Sequence, residues 1–335
     1  MSERISNPCF LYLVLPVYNE EEVLEENLQI LEDYYKFLQE EGEIRRDSRI
    51  LLVDDGSVDR SWEIISKAHQ ACSTGRPFID GIRFSRNEGH QTALFAGMEE
   101  AFHRGAEAVI TMDADLQQDI HAIPRFLEAY REGADIVSGV RSSRKADNIF
   151  KRTTASFYYK CIRLLGCDLI PDSADYRLVS NRVLDFLTRY GERDLFLRGI
   201  IPSLGFKAAM VKFDVSKRSK GDSKYTLCKM FRLGLNGITS FSMRPIRLVF
   251  FMGLLALLAS GGMMIHILWD YLHGNTVSGW SSILASIWLL GGIGIFSIGL
   301  VGEYVGRTYM ESKKRPRYYV EERLHKQDHS ENAED

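Results

Sequence analysis

The chain has 335 residues, a formal net charge of −3 and 45% hydrophobic residues, enough for one large domain or two smaller ones. This near-neutral balance, without a zinc-finger or RNA-recognition signature, argues against nucleic acid as a partner. The five cysteines, Cys9, Cys72, Cys161, Cys167 and Cys228, show no C-x-x-C spacing. Neither a disulfide framework nor a thiolate zinc site is expected, and the soluble part suits a reducing cytosolic setting.

Along the first two thirds, apolar runs at residues 10–17, 49–53, 79–84, 108–112 and 135–140 read as strands buried on both faces. Helix-like segments at 21–39, 61–71, 92–104 and 120–131 alternate with them. This predicts a doubly wound α/β domain with a mainly parallel sheet. Ligands of such sheets bind beyond the carboxyl ends of the strands. No N-terminal apolar stretch has the form of a signal peptide.

From about residue 142 the pattern turns irregular and basic ("RSSRK", "FKRTTASFYYKCIRLL", "VSKRSKGDSKYTL"). Residues 225–242 place Leu227, Met230, Phe231, Leu235 and Ile238 near helical spacing. That suits a helix lying on a membrane surface or an ordinary packed amphipathic helix. Residues 248–269 and 280–302 contain no Asp, Glu, Lys or Arg. Each reaches the roughly 20 residues that a membrane-spanning helix needs. Arg244 and Arg247 precede the first, Arg307, Lys313, Lys314, Arg315 and Arg317 follow the second, and the connecting loop has no Lys or Arg. The positive-inside rule then puts both termini in the cytoplasm. The expected organisation is a catalytic domain at 1–224, a juxtamembrane helix at 225–245, a two-helix hairpin at 246–304 and a basic tail at 305–335. The tail's last stretch, "EERLHKQDHSENAED", is polar and expected to be disordered.

Three acidic or amide clusters close three of the strands: "PVYNE" (16–20), "VDDGSVD" (53–59) and "MDADLQ" (112–117). Any one of them could be a turn or a helix cap. Three on one sheet rim point to a site. Asp113 and Asp115, at i and i+2 on an extended chain end, can face one side and share a hard cation. Oxygen ligands without nearby His or Cys suit Mg2+ or Mn2+, with open positions for phosphates and water. Asp54 or Asp55 can accept a base N–H or a ribose hydroxyl. No G-x-G-x-x-G follows the first strand and no P-loop occurs, so nicotinamide, flavin and P-loop ATP chemistry are not expected.

In this order and spacing, "PVYNE", "DDGSVD" and "DADLQ" resemble the inverting family 2 glycosyltransferases of the GT-A fold. "DYRLVSNRV", "FLRGIIPSLGF", "KRSKGDSKYTL", "SFSMRPIRL" and "GLVGEYVGRTYMESKKRPRY" resemble, more narrowly, the GtrB-like polyprenyl-phosphate (bactoprenol) glucosyltransferases, which are related to dolichol-phosphate mannose synthases. The resemblance covers nearly the whole chain except the tail. It implies that Pro16, Tyr18, Glu20 and Asp55 hold the nucleoside. It implies that Asp113 and Asp115, helped by Gln117, hold the metal and the donor diphosphate. Arg177, with Arg141, Arg198, Arg218 and Lys224, would supply positive charge for the lipid phosphate and the departing nucleotide. Asn87 and Gly89 in "SRNEGHQTALFAG" would approach the donor. There the chain carries "EGH" where glucosyl relatives often carry "FGK", which leaves the contacts of His90 open. Asp175 would be an orienting group or base, or else a salt-bridge partner of Arg177 or Arg198.

The implied reaction moves a hexose, glucose for the nearest relatives, from a UDP-sugar to polyprenyl phosphate at the cytoplasmic face of the cell (inner) membrane. Other donors, namely GDP-mannose, UDP-GlcNAc, UDP-galactose or UDP-aminoarabinose, stay open, as does a non-catalytic nucleotide-binding scaffold. A processive synthase is not expected, since no Q-x-x-R-W occurs and two spans cannot build a channel. Spans without charged residues give little to line a path, so flipping the product would need a separate protein. Relatives suggest a homo-oligomer.

Overall fold

The structure, a computed structural model, describes residues 8–72, 78–141, 173–192, 196–214 and 279–325, with three positions between 253 and 258. It divides into two compact units. One comprises Met1–Ser156, Leu169–Tyr225 and Pro316–Asp335, the other Phe157–Asp168 and Thr226–Arg315. The chain thus returns to its first unit after residue 315, beyond the boundary at 224 expected from the sequence.

In the first unit, β1 (Leu11–Val17), β2 (Arg49–Asp54) and β4 (Ala108–Thr111) are buried along their whole length. β3 spans Phe78–Phe84 and β5 Ile136–Arg141. These five strands fall where the apolar runs predict them. The helices α1 (Glu21–Glu40), α2 (Ser61–Ala71), α3 (His90–His103) and α4 (Ile123–Arg131) also match, with a 3-10 turn at Ile120–Ala122 before α4. α1 buries Leu24, Leu28, Leu31, Tyr35 and Leu38 on one stripe, the 3.6-residue period of a helix laid on a sheet. Further on come β6 (Ser173–Ser180), α5 (Asn181–Thr188), α6 (Leu197–Ser203), β7 (Ala208–Phe213) and β8 (Val320–Leu324).

Among the described residues these strands form one sheet in the order β7-β5-β6-β4-β1-β2-β3-β8. The pairings β4-β1, β1-β2, β2-β3 and β5-β7 are parallel. β6 runs antiparallel between β4 and β5, and β8 runs antiparallel along β3. The result is a mixed, mainly parallel sheet of the GT-A kind with helices packed on it. β8 corrects the expectation for the tail: residues 321–324 of "EERL" are an ordered edge strand.

In the second unit, α7 (Trp280–Ser312) is one helix of 33 residues. It contains the second expected span and exposes Ile283, Ile287, Ile298, Val301 and Val305. Side chains along α7 are described in part. Among the described residues no helix is long and apolar enough to cross a membrane. The first expected span, the juxtamembrane helix at 225–245 and residues 326–335 lie outside the described residues.

Candidate active site

The three clusters do meet at one rim. β1 and β2 end side by side, with Val17 paired to Asp54, so the loops that follow them interlock. The backbone N–H of Asn19 donates to Ser57 Oγ at 3.0 Å, and that of Val58 donates to Asn19 Oδ1 at 2.9 Å. Asn19 adopts φ 53°, which asparagine tolerates better than most residues. The start of α1 is held by the same neighbour. Glu20 N–H donates to Ser61 Oγ at 3.0 Å and Glu21 N–H to Asp59 Oδ2 at 3.1 Å. Free N–H groups at a helix start need such acceptors.

Asp55 is buried, and its carboxylate accepts the backbone N–H of Glu88 at 2.7 Å and of Gly89 at 3.0 Å. Burial pushes its carboxyl up to about 6 against the pull of these two N–H groups. This contact ties the "DDGSVD" loop to "SRNEGH". Gly56, with φ +68°, permits it: a Cβ there would lie 2.4 Å from the Arg86 carbonyl carbon. Of the residues expected to hold a nucleoside, Pro16 is buried in β1, Tyr18 is exposed and Glu20 is half-buried; Asn87, expected to approach the donor, is exposed.

The second half of the site is built by the antiparallel pairing of β4 with β6. Thr111 is paired with Arg177, and continuing that register brings Asp113 beside Asp175. Thr111 Oγ1 donates to the Asp175 carbonyl at 2.7 Å. The Asp175 carboxylate is buried and crowded with donors. Arg198 donates Nε at 3.0 Å and Nη2 at 2.9 Å, Arg177 donates Nη2 at 3.2 Å, and Gln91 donates Nε2 at 3.1 Å. Burial would raise Asp175; the contacts of His90, Arg198 and Arg177 more than offset it and hold the carboxyl well below the usual range. Of its alternatives in the sequence, the salt-bridge partner is the one this geometry fits.

His90, the first residue of α3, places Nε2 3.5 Å from Asp175 Oδ2 and 3.6 Å from Asp113 Oδ1. It therefore links the two carboxylate groups. Asp113 is 41% exposed, enough to meet a ligand. Partial loss of water around it and the neighbouring Asp175 and Asp115 carboxylates push it above the usual range against the pull of His90.

Gln117 lies beside the second of the two expected metal-holding aspartates. Its backbone N–H donates to Asp115 Oδ1 at 3.2 Å. The amide that clasps Asp113 belongs to Gln118, buried beneath the loop, which donates Nε2 to Asp113 Oδ2 at 2.8 Å and accepts the Asp113 N–H at 2.9 Å. Asn27 of α1 steadies the same turn by donating Nδ2 to the Ala114 carbonyl at 2.8 Å, and Leu116 takes a left-handed φ of 49°. Gln91 and Gln118 were missed in the sequence. Each is the second polar residue of a pair, "HQ" and "QQ", at a strand-to-helix passage, and that doubling was the available signal.

Arg141 is exposed at the end of β5. Arg218 and Lys224 lie outside the described residues. Among the described residues no group of three or more His, Cys, Asp or Glu could hold a metal ion. Two aspartates with oxygen donors still fit a Mg2+-like ion, which commonly takes one or two carboxylates and leaves the rest of its shell to water and phosphate.

The family model for glycosyl transferase family 2 matches residues 12–188, more than half of the chain. The chain belongs to glycosyltransferase family 2. The matched part of this glycosyltransferase carries the three rim clusters and Asp175 with Arg177, and ends before Arg198. It is similar to an uncharacterized glycosyltransferase, YkoT, of Bacillus subtilis, with 45% identity over 93% of this chain and 91% of that one. A prophage bactoprenol glucosyl transferase homolog of Escherichia coli is 38% identical over 92% and 97%. The bactoprenol glucosyl transferase of Shigella phage SfX is 37% identical over 93% and 98%. Among solved structures, a mannosyltransferase from Pyrobaculum calidifontis in complex with GDP-Man and Mn2+ is 14% identical, covers 88% of each chain and gives a TM-score of 0.42.

Proposed function

We propose that this family 2 enzyme transfers a hexose, glucose, from a UDP-sugar to polyprenyl phosphate on the cytoplasmic face of the cell membrane. The observation that carries the reading is the juxtaposition of the Asp113–Asp115 pair with the Asp175–Arg177–Arg198 cluster across the β4–β6 pairing. Of two relatives sharing 37–38% identity with nearly the whole chain, one is named bactoprenol glucosyl transferase and the other a prophage bactoprenol glucosyl transferase homolog, which supports the acceptor and the sugar. Charge-free residues 248–269 and 280–302, and the exposed aliphatic residues of α7, support anchoring by a hairpin at 246–304.

The residues divide the work. A phosphate monoester has a second pKa of about 6 and is largely ionised at neutral pH, so the acceptor oxygen attacks the anomeric carbon with little help from a base. The need is to hold two anions together. A divalent cation held by Asp113 and Asp115 would supply charge to the departing diphosphate. The Arg198 side chain is 37% exposed while two of its nitrogens hold Asp175, and planar guanidinium groups suit phosphate oxygens. Asp175 fixes both Arg198 and Arg177, so their charge is in place before substrate arrives. Asp54 and Asp55 belong to the nucleoside side, where Asp55 shapes the 88–89 turn. In-line attack inverts the anomeric centre and releases the nucleoside diphosphate.

The test is a donor screen with full-length protein, a short polyprenyl phosphate and Mg2+ or Mn2+, read by the mass of the lipid product. A hexosyl polyprenyl phosphate from UDP-glucose is expected, and its loss in Asp115→Ala with membrane insertion intact. No glycolipid from any common donor overturns the reading; product from another sugar corrects the donor.

A further inference from the structure

Residues 316–325 follow α7 in sequence yet belong to the compact unit that carries the rim loops. β8 pairs with β3 as Gly81 to Leu324, Ile82 to Arg323 and Arg83 to Glu322, after which the register shifts and Phe84 pairs with Val320. Glu321 is therefore the extra residue of a β-bulge, a device that re-aims a side chain out of strand alternation. Its Oε2 lies 3.7 Å from Arg83 Nε, and the same nitrogen lies 3.6 Å from Asp54 Oδ2. Arg83 Nε and Asp54 Oδ2 are buried without a hydrogen-bond partner among the described residues. The orphaned carboxylate oxygen thus leans on the charge of a guanidinium that the bulge residue flanks.

Asp54 is also the base of the loop. Its Oδ1 accepts the Ser57 N–H at 3.1 Å, and Ser57 Oγ accepts the Asn19 N–H. The segment before β8 reaches the other loop, since Ser85 N–H donates to the Tyr319 carbonyl at 3.1 Å and Tyr318 stacks on Phe84 at 4.9 Å. A second strap contact goes elsewhere: Trp62 Nε1 donates to Glu322 Oε2 at 2.9 Å on α2.

We propose that the C-terminal strand completes the nucleoside-diphosphate site, with Glu321 and Arg83 as positioning residues that act through Asp54 on the 16–20 and 54–59 loops. This rests on the reading that those loops bind the nucleotide of the donor. Glu321 restrains a long side chain that would otherwise sample many rotamers, and so keeps Arg83 where Asp54 needs it.

The test compares full-length wild type with Glu321→Ala, Glu321→Asp and Glu322→Ala, using UDP and GDP in calorimetry and the donor in steady-state assays. Glu321→Ala is expected to raise the Kd of the bound nucleoside diphosphate and the donor KM about fivefold, the upper range for a partly exposed ion pair. The KM of polyprenyl phosphate and kcat stay as in wild type, and Glu321→Asp recovers part of the affinity. Glu322→Ala lowers Tm by loosening the strand at Trp62 and leaves nucleotide affinity unchanged. Equal losses of affinity in Glu321→Ala and Glu322→Ala, or no loss in Glu321→Ala, overturn the proposal. If wild type binds neither UDP nor GDP, the nucleotide reading of the loops fails and this inference fails with it.

Discussion

Gln118 grips Asp113 from both sides, accepting its backbone N–H at 2.9 Å and donating to its Oδ2 at 2.8 Å. One oxygen of Asp113 is thereby oriented while the other is left toward His90. Partners of this kind commonly change metal affinity about 10- to 100-fold when removed. Gln118→Ala should lower Mn2+ affinity, followed by electron paramagnetic resonance, and turnover by about tenfold or more. Gln117→Ala, which keeps its backbone N–H, should leave both near wild type. The reverse ranking would give Gln117, not Gln118, the larger part in holding the metal and the donor diphosphate.

Asp175 offers a test of positioning against base catalysis. Asp175→Asn removes the charge between Arg177 and Arg198 and leaves two guanidinium groups facing each other. Breaking a buried pair typically costs about 3–5 kcal/mol. Urea unfolding should register a loss of that order, with a fall in kcat. Unchanged stability with abolished turnover would instead mark Asp175 as the base.

Asp55 gives the fold a pH dependence with a definite sign. Its carboxyl stands at about 6 when folded and at about 3.9 when unfolded. The folded state therefore holds the proton more tightly between these values, and this contribution to stability is present below pH 4 and lost as pH rises through 6. The span is about 3 kcal/mol at most. Asp55→Asn should flatten the decline in unfolding free energy between pH 4.5 and 6.5, measured by denaturant titration. An unaltered slope would assign it to other groups.

Gly56→Ala tests the closeness of the two rim loops. A Cβ 2.4 Å from the Arg86 carbonyl carbon meets backbone, which cannot step aside as a flexible side chain can. With the strained φ added, a loss of about 2 kcal/mol is expected, seen as a lower Tm, together with a raised donor KM. Wild-type values for both would show that the loops separate freely.

The parallel core was legible because its strands are buried on both faces and so read as unbroken apolar runs. β6 was not, because "SADYRLVS" carries Asp175 and Arg177 into the interior, where their mutual pairing replaces the apolar pattern. Its motif was found while its strand was missed, and with it the reason that "DADLQ" and "DYRL" meet. β8 was hidden for the opposite reason. "VEERL" is charged because it is an edge strand, exposed along most of its length, and charge at an edge discourages further pairing. On composition alone such a strand resembles a disordered tail.

The exchange of hydrogen bonds between Asn19 and the 57–58 turn bears on how such enzymes can be re-engineered. A graft of the 16–20 loop alone that replaces Asn19 would strand the Val58 N–H of the recipient. Donor preference at this rim should therefore be transplantable only as a matched pair of loops, and two single-loop chimaeras should each bind more weakly than the chimaera that carries both.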